Sequence, residues 1–272
     1  MSGGFPSHVT VVDAAREPET GVAFSIATLV TRHDEHAEML AAFEARGFTG
    51  ADCEYLAIDN TGVRQTSAYS GLNAALAAAR GRYVILVHQD VRPVDDRAAL
   101  EARLAELDAI DPAWAVAGNA GGVAAGVLAM RISDPHGPDR RVGELPARVM
   151  SLDENLLIVR RSARIGFSCD LDGFHFYGAD ICLAADMLGR SAYAIAWHVE
   201  HLSSGRKGPT FSASEVAFRA KWSRALRPRW MQTTCALLRL AGGIDHGPGQ
   251  IAEPVYRRIA KRLPSARGWN AR

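Results

Sequence analysis

Short apolar runs alternate with amphipathic segments along the first half of the chain. Runs of β-branched and aliphatic residues predict buried strands at 24–30, 54–58, 84–87 and 114–117. Segments with apolar residues at helical spacing lie between them, at 35–46, 67–80 and 95–108. We expect Asp34 to cap the first of these helices. This alternation predicts an α/β fold with a doubly wound, mostly parallel sheet and helices on both faces.

The pattern changes after residue 117. Closely spaced glycines predict a loop over 118–126. Three short runs then predict a small antiparallel addition, with strands at 127–132, 141–145 and 156–160. A helix is predicted at 181–188 and a strand at 193–197, and apolar residues at helical spacing predict a C-terminal helical segment over 212–240.

These patterns divide the chain into three parts. We expect a polar lead-in over 1–22 with an edge strand at 8–12, a main domain over 23–210, and a helical extension with a loosely packed tail over 211–272. Basic and aromatic residues in the extension suit peripheral contact with a membrane surface, but their scatter favours a helix packed on the protein.

Composition narrows the classes of partner and the compartment. The 272 residues are 48% hydrophobic and 22% charged, which is enough apolar material for a core. A formal net charge of +1 gives no global field for nucleic acid. The four cysteines are widely spaced, which suits a reducing compartment. With no signal-peptide pattern and no apolar run long enough for a membrane span, we expect a soluble cytoplasmic protein.

The central run at 84–87 ends in polar residues. His88, Gln89 and Asp90 follow it directly, and open α/β sheets bind their ligands beyond the carboxyl ends of such strands. A carboxylate there can hold a divalent cation, which in turn can hold a pyrophosphate. The local pattern of Asp90 alone fits a simple turn equally well.

The usual phosphate-binding loops are missing from this sequence. The first strand is followed by TRHDEH, which contains no glycine, and no Walker A sequence occurs. The AGNAGG run at 117–122 comes too late for a dinucleotide fingerprint, and we interpret it as a plain turn. A metal is therefore the natural means of neutralising a bound diphosphate.

Five segments in order resemble one enzyme family. They are FSIATLV, EYLAIDNTG, GLNAALAAARGRYVILVHQDV, GFHFYGADICLAADMLG and HLSSG. Together they cover about residues 23–206 and resemble the GT-A nucleotide-sugar glycosyltransferases of family 2, in the branch that writes its metal motif as HxD. The resemblance implies inverting transfer of a hexosyl group from a nucleotide-diphosphate sugar to a glycan or lipid-linked acceptor, in the biosynthesis of a surface polymer.

The resemblance also implies roles for individual residues. Asp90 and His201 would hold Mn²⁺ or Mg²⁺, and His88 in place of a first carboxylate favours Mn²⁺. The implied contacts to the nucleotide sugar are Thr31, Asp59, Asn60, Asn73, His88 and Gln89. Leu72 stands where the family has an arginine, so one phosphate or base contact of the family is missing.

The acceptor side of the site follows from the GFHFYGAD segment. Asp180 resembles the family's general base, although its local pattern equally fits a helix N-cap. Asp170, Asp172 and Asp186 compete for this role. His175, Phe176 and Tyr177 form the expected acceptor platform, with core packing as the alternative.

Two other functions fit parts of the same sequence. A nucleotidyltransferase can use a similar sheet, but its usual glycine-rich first loop is missing here. A catalytically degenerate domain that binds a sugar nucleotide without turnover would explain the missing first carboxylate. A zinc site built on His198 and His201 lacks a third ligand at suitable spacing, so we do not expect one.

Overall fold

A computed structural model describes residues 21–203, 208–232, 234 and 237–240. The chain divides into two compact units between Glu215 and Val216. The edge strand expected at 8–12 and the tail beyond 240 lie outside the described residues. The domain boundaries expected at 22 and 210 stay predictions.

The described elements alternate between strands and helices in the first half and are mostly strands in the middle. In chain order they are β1 (Phe24–Val30), α1 (His33–Ala45), β2 (Cys53–Asp59), α2 (Ala68–Ala78), β3 (Tyr83–Val87), β4 (Val91–Pro93), α3 (Arg97–Ile110), β5 (Trp114–Gly118), β6 (Ala120–Ala124), β7 (Val127–Asp134), β8 (Gly137–Val142), β9 (Ala147–Val149), β10 (Ser151–Leu152), β11 (Leu156–Arg160), a 3₁₀ turn (Arg161–Ala163), α4 (Tyr177–Met187), β12 (Ser191–Ala194), β13 (Val199–His201), α5 (Pro209–Ala225), β14 (Arg229–Gln232) and β15 (Leu237–Leu240).

Seven strands form the main sheet in the order β2-β1-β3-β11-β5-β12-β9. Five of them run in one direction, and β11 and β9 run against it. The predicted α/β fold class with a mostly parallel sheet is therefore confirmed. The position of β11 is a correction: its residues pair with β3 and β5 inside the sheet, because a fully apolar run is best buried on both faces.

Helices cover both faces of the main sheet. On one face, α1 and α3 bury Met39, Phe43, Leu100, Leu104 and Leu107 in a core that also contains Phe24, Phe48 and Trp197. On the other face, α2 packs against β1 and β2, and α4 packs against β5 and β12. Each buried leucine contributes about 1.5–3 kcal/mol to folding, so these helices are fixed on the sheet by their apolar stripes.

Two helix starts differ from expectation. Arg32 is the N-cap residue of α1 and makes no side-chain cap, whereas Asp34 lies in the first turn. There its carboxylate still favours the positive end of the helix dipole. Helix α4 begins at Tyr177, four residues earlier than predicted, so Asp180 lies within its first turn rather than at its N-cap.

A second sheet has the order β10-β6-β7-β13-β4, with β8 paired to the other side of β7. The expectation of a loop over 118–126 and a plain turn at 117–122 is wrong, because Ala120–Ala124 forms β6. Glycine permits this pairing, since a Cβ on Gly121 would lie 2.5 Å from the carbonyl oxygen of Ser151. The strand expected at 141–145 lies earlier, at Gly137–Val142.

The C-terminal segment is only partly helical. Helix α5 ends at Ala225, and β14 and β15 then form an antiparallel hairpin. Pro228 accounts for the early end, because proline breaks the helical hydrogen-bond pattern and disfavours helix in the preceding residue. Within the described residues, no helix is both long and apolar enough to cross a bilayer.

Candidate metal centre

Three potential metal ligands meet at the carboxyl end of β3. One donor atom each from His88, Asp90 and His201 lies within 4.8 Å of the other two, and all three side chains are partly buried. His88 and Asp90 belong to the turn that joins β3 to β4. Strand β4 pairs antiparallel with β13, and the amide of Leu202 donates to the carbonyl of Asp90 at 3.1 Å. This ladder places His201 beside Asp90.

Electrostatics favours the metal-binding protonation states of Asp90 and His88. Burial alone would raise the pKa of Asp90, but hydrogen bonds from His201 and Ser203 and the charges of both histidines outweigh it and hold this pKa well below its usual range. Burial and the neighbouring His201 lower the pKa of His88. An ionised carboxylate and a neutral imidazole are the forms that coordinate cations.

His88 is fixed from two sides. Its backbone amide donates to the carbonyl of Asn155 at 3.0 Å, and its Nε2 lies 2.7 Å from the hydroxyl of Tyr177. The same hydroxyl donates to the carbonyl of Glu154 at 3.0 Å, and burial holds the pKa of Tyr177 well above its usual value. Tyr177 therefore lies in the interior as a neutral phenol.

The chemistry of this donor set fits a divalent cation. Two imidazoles and one carboxylate suit Mn²⁺, Fe²⁺ or Zn²⁺ better than Mg²⁺, which prefers oxygen ligands. Three protein ligands leave coordination positions open for other groups. His201 is also oriented by Ser203, whose Oγ lies 3.1 Å from its Nε2.

Gln89 joins the end of β3 to the loop after β1. Its Oε1 accepts from the amides of Thr31 at 2.8 Å and Arg32 at 3.0 Å. Its Nε2 donates to Thr31 Oγ1 at 2.8 Å and to Glu35 Oε2 at 2.7 Å. The carboxamide thus uses both acceptor sites and both donor hydrogens within the protein. Gln89 and Thr31, both predicted to contact the nucleotide sugar, are hydrogen-bonded to each other in the structure.

Asp59 and Asn60 lie at the same edge of the sheet, since Val30 at the end of β1 is in register with Asp59. Asp59 is exposed, and Thr61 donates to it from its amide at 2.9 Å and its hydroxyl at 2.6 Å, which lowers its pKa. Asn60 is buried and bonds both backbone groups of Thr66. Asp59 is therefore open to a ligand, whereas Asn60 holds the loop.

Asn73 and Asp180 both brace the loop after β11. The amide of Asn73 bonds the backbone of Phe167 in both directions at 2.9 Å. Asp180 has no exposed surface, and its two carboxylate oxygens accept from the amide of Ser168 at 2.8 Å and from its hydroxyl at 2.7 Å. In this conformation the Asp180 carboxylate is enclosed by the protein, and the Asn73 carboxamide is half-buried and bonded to the loop.

The expected acceptor platform is divided. The rings of His175 and Phe176 pack on Phe211, with centroids 5.3 and 4.8 Å apart, and both are partly exposed. Tyr177 lies in the interior instead.

The competing acids are exposed, namely Asp170, Asp172 and Asp186. His198 is buried, its Nε2 lies 2.8 Å from Ser133 Oγ, and it is not part of the cluster of His88, Asp90 and His201.

Glu154 lies at the site but was not predicted from the sequence. It lines a cavity of about 20 Å³ together with His88 and Tyr177, and the amide of Gly178 donates to its carboxylate at 3.4 Å. Burial raises the pKa of Glu154 to about 8. Because β11 runs antiparallel to β3, the residues just before β11 meet the end of β3. The position of Glu154 beside His88 depends on this strand pairing, and no local sequence motif predicts it.

Fold and site together define an α/β protein with a His-Asp-His cluster at the carboxyl edge of a doubly wound sheet. The chain belongs to the family of the protein "ATP synthase subunits region ORF 6" of Fuscovulum blasticum, to which it is 37% identical over 232 residues. The alignment covers 83% of this chain and 93% of that protein. No family model matches the sequence.

Solved structures similar to this chain include GT-A-type glycosyltransferases. One is the mannosyltransferase PcManGT from Pyrobaculum calidifontis in complex with GDP-Man and Mn²⁺, with 13% identity and a TM-score of 0.49 over 74% of this chain and 64% of that chain. Another is S. aureus TarS 1–349 in complex with UDP-GlcNAc, with 15% identity and a TM-score of 0.46 over 71% of this chain and 61% of that chain. This chain spans less than two thirds of either structure.

Proposed function

We propose that this protein is a metal-assisted glycosyltransferase that moves a hexosyl group, with inversion, from a nucleotide-diphosphate sugar to a glycan or lipid-linked surface-polymer acceptor in the cytoplasm. The observation that carries the proposal is the convergence of His88, Asp90 and His201 at the carboxyl edge of the sheet. In open α/β sheets this edge is where nucleotides bind. The GT-A motifs of the sequence supply the reaction class.

His88, Asp90 and His201 would hold the cation, with Mn²⁺ preferred to Mg²⁺ because two of the three donors are imidazoles. When bound, the cation supplies positive charge for the diphosphate that leaves during transfer. The protein's own part is to keep Asp90 ionised and both imidazoles oriented. The exposed carboxylate of Asp59, at the end of β2, is the group placed to accept hydrogen bonds from the nucleoside.

The ends of β1 and β3 form the floor of the proposed donor site. Gln89 holds Thr31 and Arg32 by their backbone amides, so these residues keep a fixed distance from the metal cluster. In this proposal Gln89 and Asn60 shape the donor site rather than contact the donor.

The acceptor hydroxyl must lose a proton during transfer, and the motif resemblance assigns this step to Asp180. Its enclosure by Ser168 adds a condition, because a general base must come within about 2.6–3.2 Å of the proton it removes. The Ser168 contacts must open when the acceptor binds. His175 and Phe176 are the aromatic rings proposed to meet the acceptor sugar.

The test of the metal-dependent proposal is Asp90→Asn, which keeps the size of the side chain and removes its charge. We expect Mn²⁺ affinity, measured by isothermal titration, to fall at least about tenfold, because a ligating charge is lost. Binding of nucleotide sugars in a thermal-shift panel should lose its dependence on Mn²⁺. Asp186→Asn, on the exposed side of α4, is the matched control and should change neither. Unaltered Mn²⁺ affinity in Asp90→Asn contradicts the proposal.

A second test separates the two carboxyl groups that could act as base. Asp180→Asn should keep donor affinity and lose transfer, as measured by release of nucleoside diphosphate in the presence of acceptor. Glu154→Gln, which changes the acid lining a cavity with His88, should keep most of the transfer activity. The reverse pattern reassigns the base to Glu154. Unchanged transfer in Asp180→Asn would leave Asp180 only as a brace of the Ser168 loop.

The same assays distinguish the two alternative functions. Donor binding without turnover under any metal indicates a degenerate sugar-nucleotide-binding domain. Release of pyrophosphate from a nucleoside triphosphate indicates a nucleotidyltransferase.

A further inference from the structure

The hydroxyl of Tyr177 makes two hydrogen bonds but carries one hydrogen. It lies 3.0 Å from the carbonyl oxygen of Glu154 and 2.7 Å from Nε2 of His88. A carbonyl oxygen can only accept a hydrogen bond, so the hydroxyl hydrogen points at Glu154. The contact with His88 therefore requires that Nε2 of the imidazole carries a hydrogen and donates it to the phenol oxygen.

From this chain of donors and acceptors we infer that Tyr177 is a positioning residue that fixes His88 in the Nε2–H tautomer and leaves Nδ1 as the metal-binding atom. Metal-ligating histidines commonly donate their second ring N–H to a fixed acceptor, which sets both the tautomer and the ring orientation. Here the acceptor is the phenol oxygen of Tyr177, whose own hydrogen is donated to the backbone carbonyl of Glu154. This inference rests on the metal site of the proposed function.

The surroundings make Tyr177 a rigid acceptor. Its ring packs edge-on against Tyr69 and Phe167, with centroids 6.3 and 5.9 Å apart. Two successive carbonyls accept these bonds. The carbonyl of Glu154 accepts from the Tyr177 hydroxyl, and the carbonyl of Asn155 accepts from the His88 amide. The backbone before β11 thus fixes both the ring and the main chain of His88 relative to each other.

The tautomer can be read directly in the metal-free protein. Long-range ¹H–¹⁵N correlation spectra distinguish Nε2–H from Nδ1–H imidazoles, and loss of one signal set in His88→Gln assigns His88. We expect the Nε2–H pattern in the native protein and a mixture of tautomers in Tyr177→Phe. An Nδ1–H pattern for His88 in the native protein overturns the inference.

Metal affinity provides the second readout, with Tyr69→Phe as the matched control. Tyr69 is also buried and donates to the carbonyl of His175 at 2.9 Å, so each variant removes one phenol and leaves one carbonyl without its donor. We expect Tyr177→Phe to weaken Mn²⁺ binding about 10–100-fold, the usual effect of losing such an outer partner. Tyr69→Phe should bind Mn²⁺ as the native protein does. Equal Mn²⁺ affinities in all three proteins overturn the inference.

The two readouts separate this inference from the proposed function. If the native protein binds no divalent metal, the proposed function fails, but the tautomer of His88 in native protein and in Tyr177→Phe still decides the role of Tyr177. If Mn²⁺ binds and depends on Asp90 while Tyr177→Phe changes neither tautomer nor affinity, only the inference about Tyr177 fails.

Discussion

At the scale of single residues, most side chains predicted to contact the nucleotide sugar are already hydrogen-bonded within the protein. Asn60, Asn73 and Gln89 each use their carboxamides on backbone groups of neighbouring loops. Such side chains act on a site indirectly, because they set where the backbone around it lies. Gln89 is the strongest case, since all four of its hydrogen-bonding positions are taken.

We expect Gln89→Glu to lower the free energy of unfolding by about 1–3 kcal/mol. The change removes both Nε2 donors and places a second carboxylate where Nε2 now donates to Glu35 at 2.7 Å. Urea unfolding measures the effect. Gln65→Glu is the control, because Gln65 is exposed and, within the part of the chain that the structure describes, its side chain makes one hydrogen bond, to the carbonyl of Asn60. Equal losses in both variants would mean that the Gln89 bridge does not stabilise the fold.

Sequence motifs predict candidate metal ligands, but they do not predict the hydrogen-bond partners of side chains. Asp90 and His201 were predicted as a metal pair from their places in two motifs, and the structure brings them together with His88. The partners of Gln89 and Asn73 were not predictable, because they depend on loops 58 and 94 residues away along the chain. Tyr177 was expected at the acceptor, yet its hydroxyl is taken up by His88 and Glu154.

At the scale of elements, local pattern predicts what is buried but not which strand is the neighbour. The run at 24–30 is β1 to the residue, and 156–160 is β11 to the residue. The place of β11 between β3 and β5 follows from long-range pairing, which periodicity does not contain. The C-terminal segment shows that periodicity can also mislead. Apolar residues at helical spacing continue past Pro228, but the residues after it form strands β14 and β15.

The cluster of His88, Asp90 and His201 is a product of element pairing. Strand β4 has only three residues, but its antiparallel pairing with β13 brings His201 to Asp90. Strand β11 does the same for Glu154 and Asn155, which reach His88 because β11 starts where β3 ends. His88, His201 and Glu154 therefore lie at or next to the end of a strand that is paired in one of the two sheets, whereas Tyr177 reaches the site from the start of helix α4.

At the scale of the whole molecule, the carboxyl group of Glu154 connects the site to the stability of the fold. Burial raises its pKa to about 8 from an ordinary value of 4.5. Between these two values the folded protein holds a proton on Glu154 that the unfolded chain has released. Stability must then fall as the pH rises through this window, and the contribution of Glu154 is constant below about 4.5 and above about 8.

We therefore expect Glu154→Gln to remove a pH dependence that the native protein has. Where the folded protein binds one proton more than the unfolded chain, the free energy of unfolding falls by about 1.4 kcal/mol for each unit of pH increase. Urea unfolding of both proteins across this window should give curves that converge near pH 4.5 and separate towards pH 8, with the variant the more stable at the upper end. Glu144→Gln, on an exposed residue, should follow the native curve. Parallel curves for the native protein and Glu154→Gln would show that Glu154 ionises normally, and that the enclosure of its carboxyl beside Gly178 and Tyr177 does not exclude water.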